Sequence, residues 1–259
     1  MDSVNKGSNT AYESQRLLHQ YLLFHYGTPE EILEGATVFD GDEAGGLYFP
    51  ASTVWSTLMF DLIDEEKEGK LRALDVGCAV GRSSFELSRL CAEVIAVDYS
   101  KTFIEAAKQI RSGQEVNLIR YDEGQSGTEV TVTCPEETNP DRVAFEIGDA
   151  MDLRSDLGQF DIVHVANLLC RLSEPIRFLD RLPVLVKPDG QLILATPCTW
   201  SEEFTPRENQ PEGTTLDFIR ARLDDTFELK REIELPFMIR DHARKFQFST
   251  SQTTVWVRK

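Results

Sequence analysis

The segment LRALDVGCAVGRSSFELSRL (residues 71–90) contains a strand pattern, a turn and a helix pattern in immediate succession. Its first six residues are mostly apolar and fit a short buried strand. Gly77, Ala79 and Gly81 then predict a turn whose backbone can approach a ligand closely, and helical spacing of apolar residues follows. This order is typical of nucleotide-binding α/β folds, although the turn alone is a weak indication of a ligand.

Strand and helix patterns alternate from residue 71 onward. Further strands are predicted at EVIAVD (93–98), RVAFEIGD (142–149), FDIVHVAN (160–167) and GQLILATP (190–197). Helices are predicted at residues 81–91, 100–112 and 174–186, and two β-rich runs at 227–241 and 245–259 predict an antiparallel pair at one sheet edge. The pattern predicts an α/β, Rossmann-like fold with a mostly parallel seven-stranded sheet and helices on both faces.

Composition divides the chain into two regions. Residues 1–70 are expected to form a mainly helical N-terminal arm that covers the substrate, with a loop at FDGDEAGGLYFP (39–50). Residues 71–259 are expected to form the ligand-binding domain. Within it, residues 121–140 are polar and rich in turn formers, which predicts an excursion from the core, such as a small hairpin around TEVTVT (128–133).

Charge and cysteine usage narrow the class of protein. The net charge of −17 argues against nucleic acid and anionic membrane surfaces as partners. No apolar run reaches the roughly 20 residues that a membrane span needs, and the N-terminus lacks the apolar core of a signal peptide. Five scattered cysteines without a CxxC pair fit reduced thiols in a cytoplasmic protein and predict no metal site.

Acidic residues stand at the ends of three predicted strands. Asp98 can accept hydrogen bonds from the two hydroxyls of a ribose, and Asp149 can accept one from an adenine amino group. Asp75 precedes the glycine turn, where a carboxylate would repel a pyrophosphate and attract the ammonium of a methionine moiety. The acids therefore favour S-adenosylmethionine over NAD as the ligand.

These motifs resemble class I S-adenosylmethionine-dependent methyltransferases over residues 71–197. FDIVHVANLL is similar to their fourth strand, and LVKPDGQLILATP to the turn and fifth strand that follow. The resemblance implies S-adenosylmethionine as the cofactor and residues 71–259 as the methyltransferase domain. The residues expected to bind the cofactor are Asp75, Gly77, Cys78, Gly81, Arg82, Asp98, Tyr99, Ser100, Asp149, Ala150 and Asn167.

A closer resemblance lies largely outside the shared core. YLLFHYG (21–27), GCAVGRSSFEL (77–87), ANLLCRL (166–172), TWSEEFTPRE (199–208) and RKFQFSTSQTTVW (244–256) are similar to the methyltransferase domain of ovothiol synthases. The resemblance runs from about Tyr21 to the C-terminus. It implies methylation of the π-nitrogen of the 5-thiohistidine imidazole to give ovothiol A, with a sulfoxide synthase as functional partner.

Candidate residues for the acceptor come from several segments. Tyr21 and His25 share a helix face. With Tyr26, they either pack against the sheet or form a lid that contacts the imidazole. Asn167 ends a strand beside the expected sulfonium position, so Tyr21, His25 and Asn167 are the catalytic candidates. A second set is expected around the substrate: Arg171, Arg207, Arg240 and Arg244 for its carboxylate, Glu202 and Glu203 for its ammonium group, and Trp200 as a wall or a cap.

Other functions stay open at this point. The acceptor could be another small imidazole or thiol, or a histidine of a protein. A methyltransferase fold could also serve as a binding protein without catalysis. His164, in a strand interior, is expected to be a core histidine with its hydrogen bonds satisfied.

Overall fold

The computed structural model describes residues 12–36 and 70–259. Helix α1 (Gln15–Tyr26) begins after Ser14, whose hydroxyl accepts a hydrogen bond from the Leu17 amide. Helix α2 (Pro29–Leu33) begins with a capping box between Thr28 and Glu31. The predicted loop at 39–50 lies outside the described residues, as do the other parts of the predicted arm within residues 1–11 and 37–69.

Seven strands form the predicted sheet, in the order β5-β2-β1-β6-β7-β9-β8. Strands β1, β2, β5, β6 and β7 are parallel, and β9 runs antiparallel to both β7 and β8. The bounds are β1 (Leu71–Val76), β2 (Cys91–Asp98), β5 (Val143–Ile147), β6 (Phe160–Ala166), β7 (Val186–Thr196), β8 (Phe227–His242) and β9 (Lys245–Arg258). The predicted Rossmann-like class and the antiparallel pair at one edge are confirmed.

The polar excursion is a separate two-stranded hairpin. Its strands are β3 (Val116–Glu123) and β4 (Ser126–Val132), so the hairpin begins before the predicted boundary at residue 121. The first strand was not predicted. Its buried residues are Val116, Leu118 and Arg120, at every second position. Because the third of them is an arginine, the sequence does not show the apolar alternation of an amphipathic strand.

Helices cover both faces of the sheet, with α3 (Arg82–Leu87), α4 (Lys101–Arg111), α5 (Pro175–Leu179), α6 (Leu182–Leu185) and α7 (Thr215–Leu223) following α2. The single helix predicted at 174–186 was wrong. Pro183 lies in the first turn of α6. Its ring would clash with the carbonyl of Leu179 if one helix continued through both segments, so the chain breaks between them.

Each face of the sheet has its own apolar core. On one face, Leu22 of α1 is fully buried in the cluster that contains Phe85 and Ile104. On the other, Phe178 and Trp256 are fully buried together. Helix α1 therefore belongs to the core of the α/β unit, while the predicted division into an arm and a domain stays a prediction. Within 12–36 and 70–259, no helix is long and apolar enough to cross a membrane.

Candidate active site

A cavity of about 920 Å³ opens at the carboxyl ends of the parallel strands. Its walls include the turn after β1, the ends of β2, β5 and β6, helix α1 and strand β8. Open α/β sheets bind their ligands at this edge, where the strand order reverses on either side of β1.

The turn after β1 is folded against the end of β2. Gly77 has a left-handed φ of +77°, borders the cavity and donates its N–H to the Val97 carbonyl at 2.8 Å. Ala79 donates its N–H to the Asp98 carboxylate, also at 2.8 Å. A side chain at Gly77 would press on Leu168. The turn therefore brings main chain, without side chains, to the cavity wall.

Asp98 has the position and chemistry predicted for a ribose acceptor. One carboxylate oxygen accepts the Ser100 N–H at 2.8 Å, and the other accepts the Ala79 N–H. Burial raises the pKa of Asp98 to about 6, against the effect of these two hydrogen bonds. Tyr99 and Ser100 also border the cavity, and the Tyr99 side chain is 55% exposed. The carboxylate can therefore take ribose hydroxyls beside a flat aromatic ring.

The remaining strand ends complete this side of the cavity. Asp149 and Ala150 both line it, and the Asp149 side chain accepts the Met151 N–H at 2.8 Å. Asn167 lines it with a left-handed φ of +57° and accepts a hydrogen bond from Ser251. An adenosine with its amino-acid chain fits this set of acceptors, aromatic surface and bare main chain.

Asp75 does not line the cavity, which corrects its predicted contact with the ligand. Its carboxylate accepts the hydroxyls of Ser83 at 2.7 Å and Ser84 at 2.6 Å, and lies 2.8 Å from Nδ1 of His164. Burial acts to raise the pKa of Asp75, but His164 and the serine hydroxyls outweigh it and lower the pKa. Asp75 therefore binds the start of α3 to the core, and His164 is the satisfied core histidine that was expected.

Three other residues that were predicted to bind the cofactor do not line the cavity: Cys78, Gly81 and Arg82. The Cys78 thiol is buried in the turn, and burial raises its pKa well above the ordinary value. A Cβ at Gly81 would lie 2.6 Å from the Phe145 ring, so this glycine permits helix packing. Arg82 pairs with Glu86 at 2.8 Å and donates to the His25 carbonyl at 3.3 Å. These three residues therefore act on the turn through its packing and not through the cavity wall.

Helix α1 brings Tyr21 and His25 to the cavity together. Their rings stack with centroids 5.8 Å apart. Burial, and then the charge of Arg82, lower the pKa of His25 to about 3, although Asp75 acts in the opposite direction. His25 is therefore a neutral ring and a poor general base. The prediction that Tyr26 binds the substrate was wrong. Its hydroxyl donates a 2.8 Å hydrogen bond to the Val80 carbonyl, and the residue does not line the cavity.

Among the candidate arginines, only Arg171 lines the cavity. It lies over the Phe204 ring at 4.7 Å and donates to the Thr199 carbonyl at 2.9 Å. Arg207 and Arg244 are mainly exposed and approach Glu202 and Glu123. Arg240 is buried elsewhere, where it donates to the carbonyls of Ile32 and Glu34 and pairs with Asp122. Arg240 is therefore held away from the cavity by buried partners, and Arg207 and Arg244 are not part of its wall.

Trp200 caps the region after β7 and lines no part of the cavity. Its indole N–H donates to the Thr215 hydroxyl at 2.9 Å, and its ring packs edge-on against Phe218. Glu202 and Glu203 border the cavity, as predicted for groups that take an ammonium. Within 12–36 and 70–259, no three metal-ligating side chains are grouped to hold a metal ion.

Much of the aromatic wall was missed in the sequence. Tyr12 contacts Tyr21, Phe103 and Phe204, and Phe24 packs on Phe237 of β8 with centroids 5.7 Å apart. The Glu13 carboxylate accepts the Lys101 and Thr102 amides at the start of α4 beside Asp98. These residues come from remote segments, and only the clustering of aromatics in LLFHYG gave a signal.

Residues 74–194 match the model of a methyltransferase domain family. The ubiquinone biosynthesis O-methyltransferase of Bradyrhizobium diazoefficiens is 32% identical over 49% of this chain and 40% of its own length. The demethylmenaquinone methyltransferase of Clavibacter sepedonicus is 28% identical over 52% of this chain and 43% of its own length. The chain thus spans about two fifths of the length of these curated relatives.

Solved structures share the fold at low identity. One is a chain of the complex between the Haloferax volcanii Trm112 methyltransferase activator and the putative methyltransferase. It matches 98% of this chain and 99% of its own length, with a TM-score of 0.55 and 14% identity. The [4+2]-cyclase SpnF matches 88% of this chain and 74% of its own length, with a TM-score of 0.54 and 19% identity. Since one of these is a cyclase, the fold alone does not identify the reaction.

Proposed function

We propose that the chain carries a class I, S-adenosylmethionine-dependent methyltransferase domain and that it methylates the π-nitrogen of the 5-thiohistidine imidazole to give ovothiol A. The proposal combines the cavity geometry with the resemblance of the segments around it to the ovothiol family. A sulfoxide synthase that installs the sulfur would supply the acceptor.

The strand ends would hold the cofactor, which supplies an activated methyl group on a sulfonium. Asp98 would accept the ribose hydroxyls and Asp149 the adenine amino group, while the main chain at Gly77 leaves room for the methionine portion. Because a sulfonium methyl is already reactive, the residues of the acceptor side need mainly to place a nucleophile in line with it.

Opposite charges around one cavity support an amino-acid acceptor. Arg171 presents a guanidinium that matches a carboxylate, and Glu202 and Glu203 can attract an ammonium group. In a chain with a net charge of −17, a cation at the cavity wall is a selective feature for an anionic group. A free amino acid carries both charges, whereas a histidine within a peptide carries neither.

The aromatic wall supports a flat, heteroaromatic side chain. Tyr12, Tyr21, Phe24 and Phe237 form this wall, and ring faces also stabilise the cationic sulfonium group. The observation that carries the proposal is that a single cavity joins the acidic end of β2 to this aromatic wall with Arg171 beside it. An azole amino acid would thus lie next to the methyl donor.

A second candidate is transfer to a phenolic oxygen, which the O-methyltransferases among the curated relatives favour. A phenol or quinol also fits an aromatic wall, but it makes no use of the opposite charges that Arg171 and the acids Glu202 and Glu203 bring to the cavity. The two acceptors therefore differ in their need for a carboxylate and an ammonium group.

The test is a substrate panel with S-adenosylmethionine, analysed by mass spectrometry and by NMR of the product. We expect turnover of free 5-thiohistidine, weak turnover of its decarboxylated analogue, and none of catechols or of peptides containing histidine. Transfer only to a catechol or only to peptides would reject the proposal. Absence of any heat on titration with S-adenosylmethionine would instead indicate a binding protein without catalysis.

A further inference from the structure

The His25 ring is a buried polar group that the fold leaves incompletely satisfied. Its side chain is only 4% exposed, it borders the cavity, and Nδ1 is sealed from solvent without a hydrogen-bond partner among the described residues. An unsatisfied buried polar atom destabilises the fold, because it has lost its hydrogen bonds to water. Retaining such a ring in an otherwise aromatic wall points to a use in the complex with substrate.

The surroundings of His25 hold its ring in one orientation. Tyr21 stacks on it with an interplanar angle of 20°, and Phe24 packs edge-on with centroids 5.0 Å apart. Since Nδ1 is sealed, the ring meets the cavity at its far edge, which carries Nε2. The orientation therefore determines which nitrogen a substrate can reach.

The same surroundings select a tautomer. Burial and the Arg82 charge lower the pKa of His25, so the ring is neutral and one nitrogen carries the proton. A buried N–H without an acceptor is rarer in proteins than an acceptor without a donor, so the sealed Nδ1 is the deprotonated nitrogen. The ring therefore presents Nε2–H to the cavity.

A thioimidazole offers two nucleophiles to one methyl group. In the wanted reaction, the ring nitrogen's lone pair forms the new N–C bond while the methyl–sulfonium bond breaks, leaving its electrons on the thioether sulfur. The ring becomes an imidazolium whose charge is balanced by its own thiolate, so no base is required. In the competing reaction, the thiolate forms an S–CH₃ bond and the ring stays neutral.

We infer that His25 donates Nε2–H to the anionic sulfur of the bound thioimidazole and so directs the methyl group to the ring nitrogen. A hydrogen bond to the thiolate occupies the sulfur lone pair that would attack the methyl group. It also turns the sulfur toward α1, away from the methyl donor. This inference rests on the proposed acceptor but assigns His25 as the residue that sets nitrogen over sulfur. Under this inference, cofactor binding depends on the residues at the strand ends and not on His25.

The experiment compares wild type with His25→Phe, His25→Gln and His25→Asn on 5-thiohistidine, with the S-methyl to N-methyl ratio measured by NMR. The Gln amide can replace the donor at Nε2, whereas the Asn amide reaches only the position of Nδ1. We expect the ratio to rise about ten- to a hundredfold in the Phe and Asn variants and to return toward wild type in the Gln variant. Cofactor affinity by calorimetry should be unchanged.

A control and a direct measurement complete the test. His19→Asn changes the other described histidine of α1, which lines a separate groove, and should leave the ratio unchanged. In wild type with S-adenosylhomocysteine, adding 4-mercaptoimidazole should move the His25 Nε2–H resonance downfield. An unchanged ratio in His25→Phe, or an unmoved resonance, overturns the inference. Failure of wild type to methylate 5-thiohistidine while that resonance still moves would reject only the proposed substrate.

Discussion

The buried hydroxyl of Ser251 donates a 2.6 Å hydrogen bond to the side-chain oxygen of Asn167 across 84 residues of sequence. Ser251 lies on β9, in the antiparallel edge of the sheet, and Asn167 follows β6 at the cavity wall. The antiparallel edge thus orients a side chain of the parallel half.

Ser251→Ala should lower kcat because it removes the group that orients the Asn167 amide. We expect a loss of about tenfold, as for one hydrogen bond to a buried acceptor, with cofactor affinity nearly unchanged. Steady-state kinetics and calorimetry measure the two effects. Thr250→Ala, on the same strand but exposed, is the control. Equal losses in both variants would show a general weakening of β9 instead.

Cofactor affinity should depend on pH through Asp98. Its pKa in the free protein is about 6, and only the ionised carboxylate accepts both ribose hydroxyls. As pH falls through 6 the carboxyl is protonated, so the affinity should fall, approaching about tenfold per pH unit. Calorimetry from pH 5 to 8 should show this dependence in wild type. It should be lost in Asp98→Asn and kept in Asp156→Asn, whose exposed acid pairs with Arg154.

Asp75→Asn should destabilise the fold by about 1.5–3 kcal/mol, since a buried carboxylate that bonds His164 and two serine hydroxyls is replaced by a neutral amide. The native pKa of Asp75 lies below its ordinary 3.8, so the unfolded chain binds the proton more readily. The contribution of the Asp75 carboxylate to the free energy of unfolding is therefore present above pH 3.8, and it is lost as pH falls through the native pKa. Urea unfolding measures the change. An additive effect of His164→Asn would contradict the pairing.

Gly81→Ala should cost more stability than Gly113→Ala. Both glycines have left-handed φ values, +86° and +80°, so the backbone cost is similar. A Cβ at position 81 would meet the Phe145 ring at 2.6 Å, whereas nothing lies within 4 Å at 113. We expect a difference of about 1–3 kcal/mol in the free energy of unfolding, as for overpacked cores. Equal costs would mean that Phe145 can move aside.

Arg171→Gln should raise KM for the amino-acid acceptor about ten- to a hundredfold, because a charge-assisted contact with its carboxylate is lost. Cofactor affinity should not change. Arg244→Gln serves as the control, since its side chain is exposed and approaches Glu123, which lies off the cavity. A raised KM in this control, without one in Arg171→Gln, would place the carboxylate elsewhere.

Local pattern predicted the seven strands of the sheet along the chain, and it placed Asp98 and Asp149 at strand ends. Asp98 and Asp149 line the cavity because the carboxyl ends of parallel strands share one edge, so their place follows once β2 and β5 are recognised. The break at Pro183 and the strand at 116–123 were missed, since short elements carry few periodic residues.

The sequence by itself thus determined the α/β fold and the cofactor edge, because both follow from the spacing of apolar residues and turn formers along the chain. Only the tertiary structure decided which side chains face the cavity. Asp75 turns to His164, Tyr26 to Val80 and Arg240 to the main chain of α2, while Phe237 and Ser251 enter the site from the far edge. Side-chain direction depends on partners distant in sequence, and these meet only when the sheet and helix α1 are packed together.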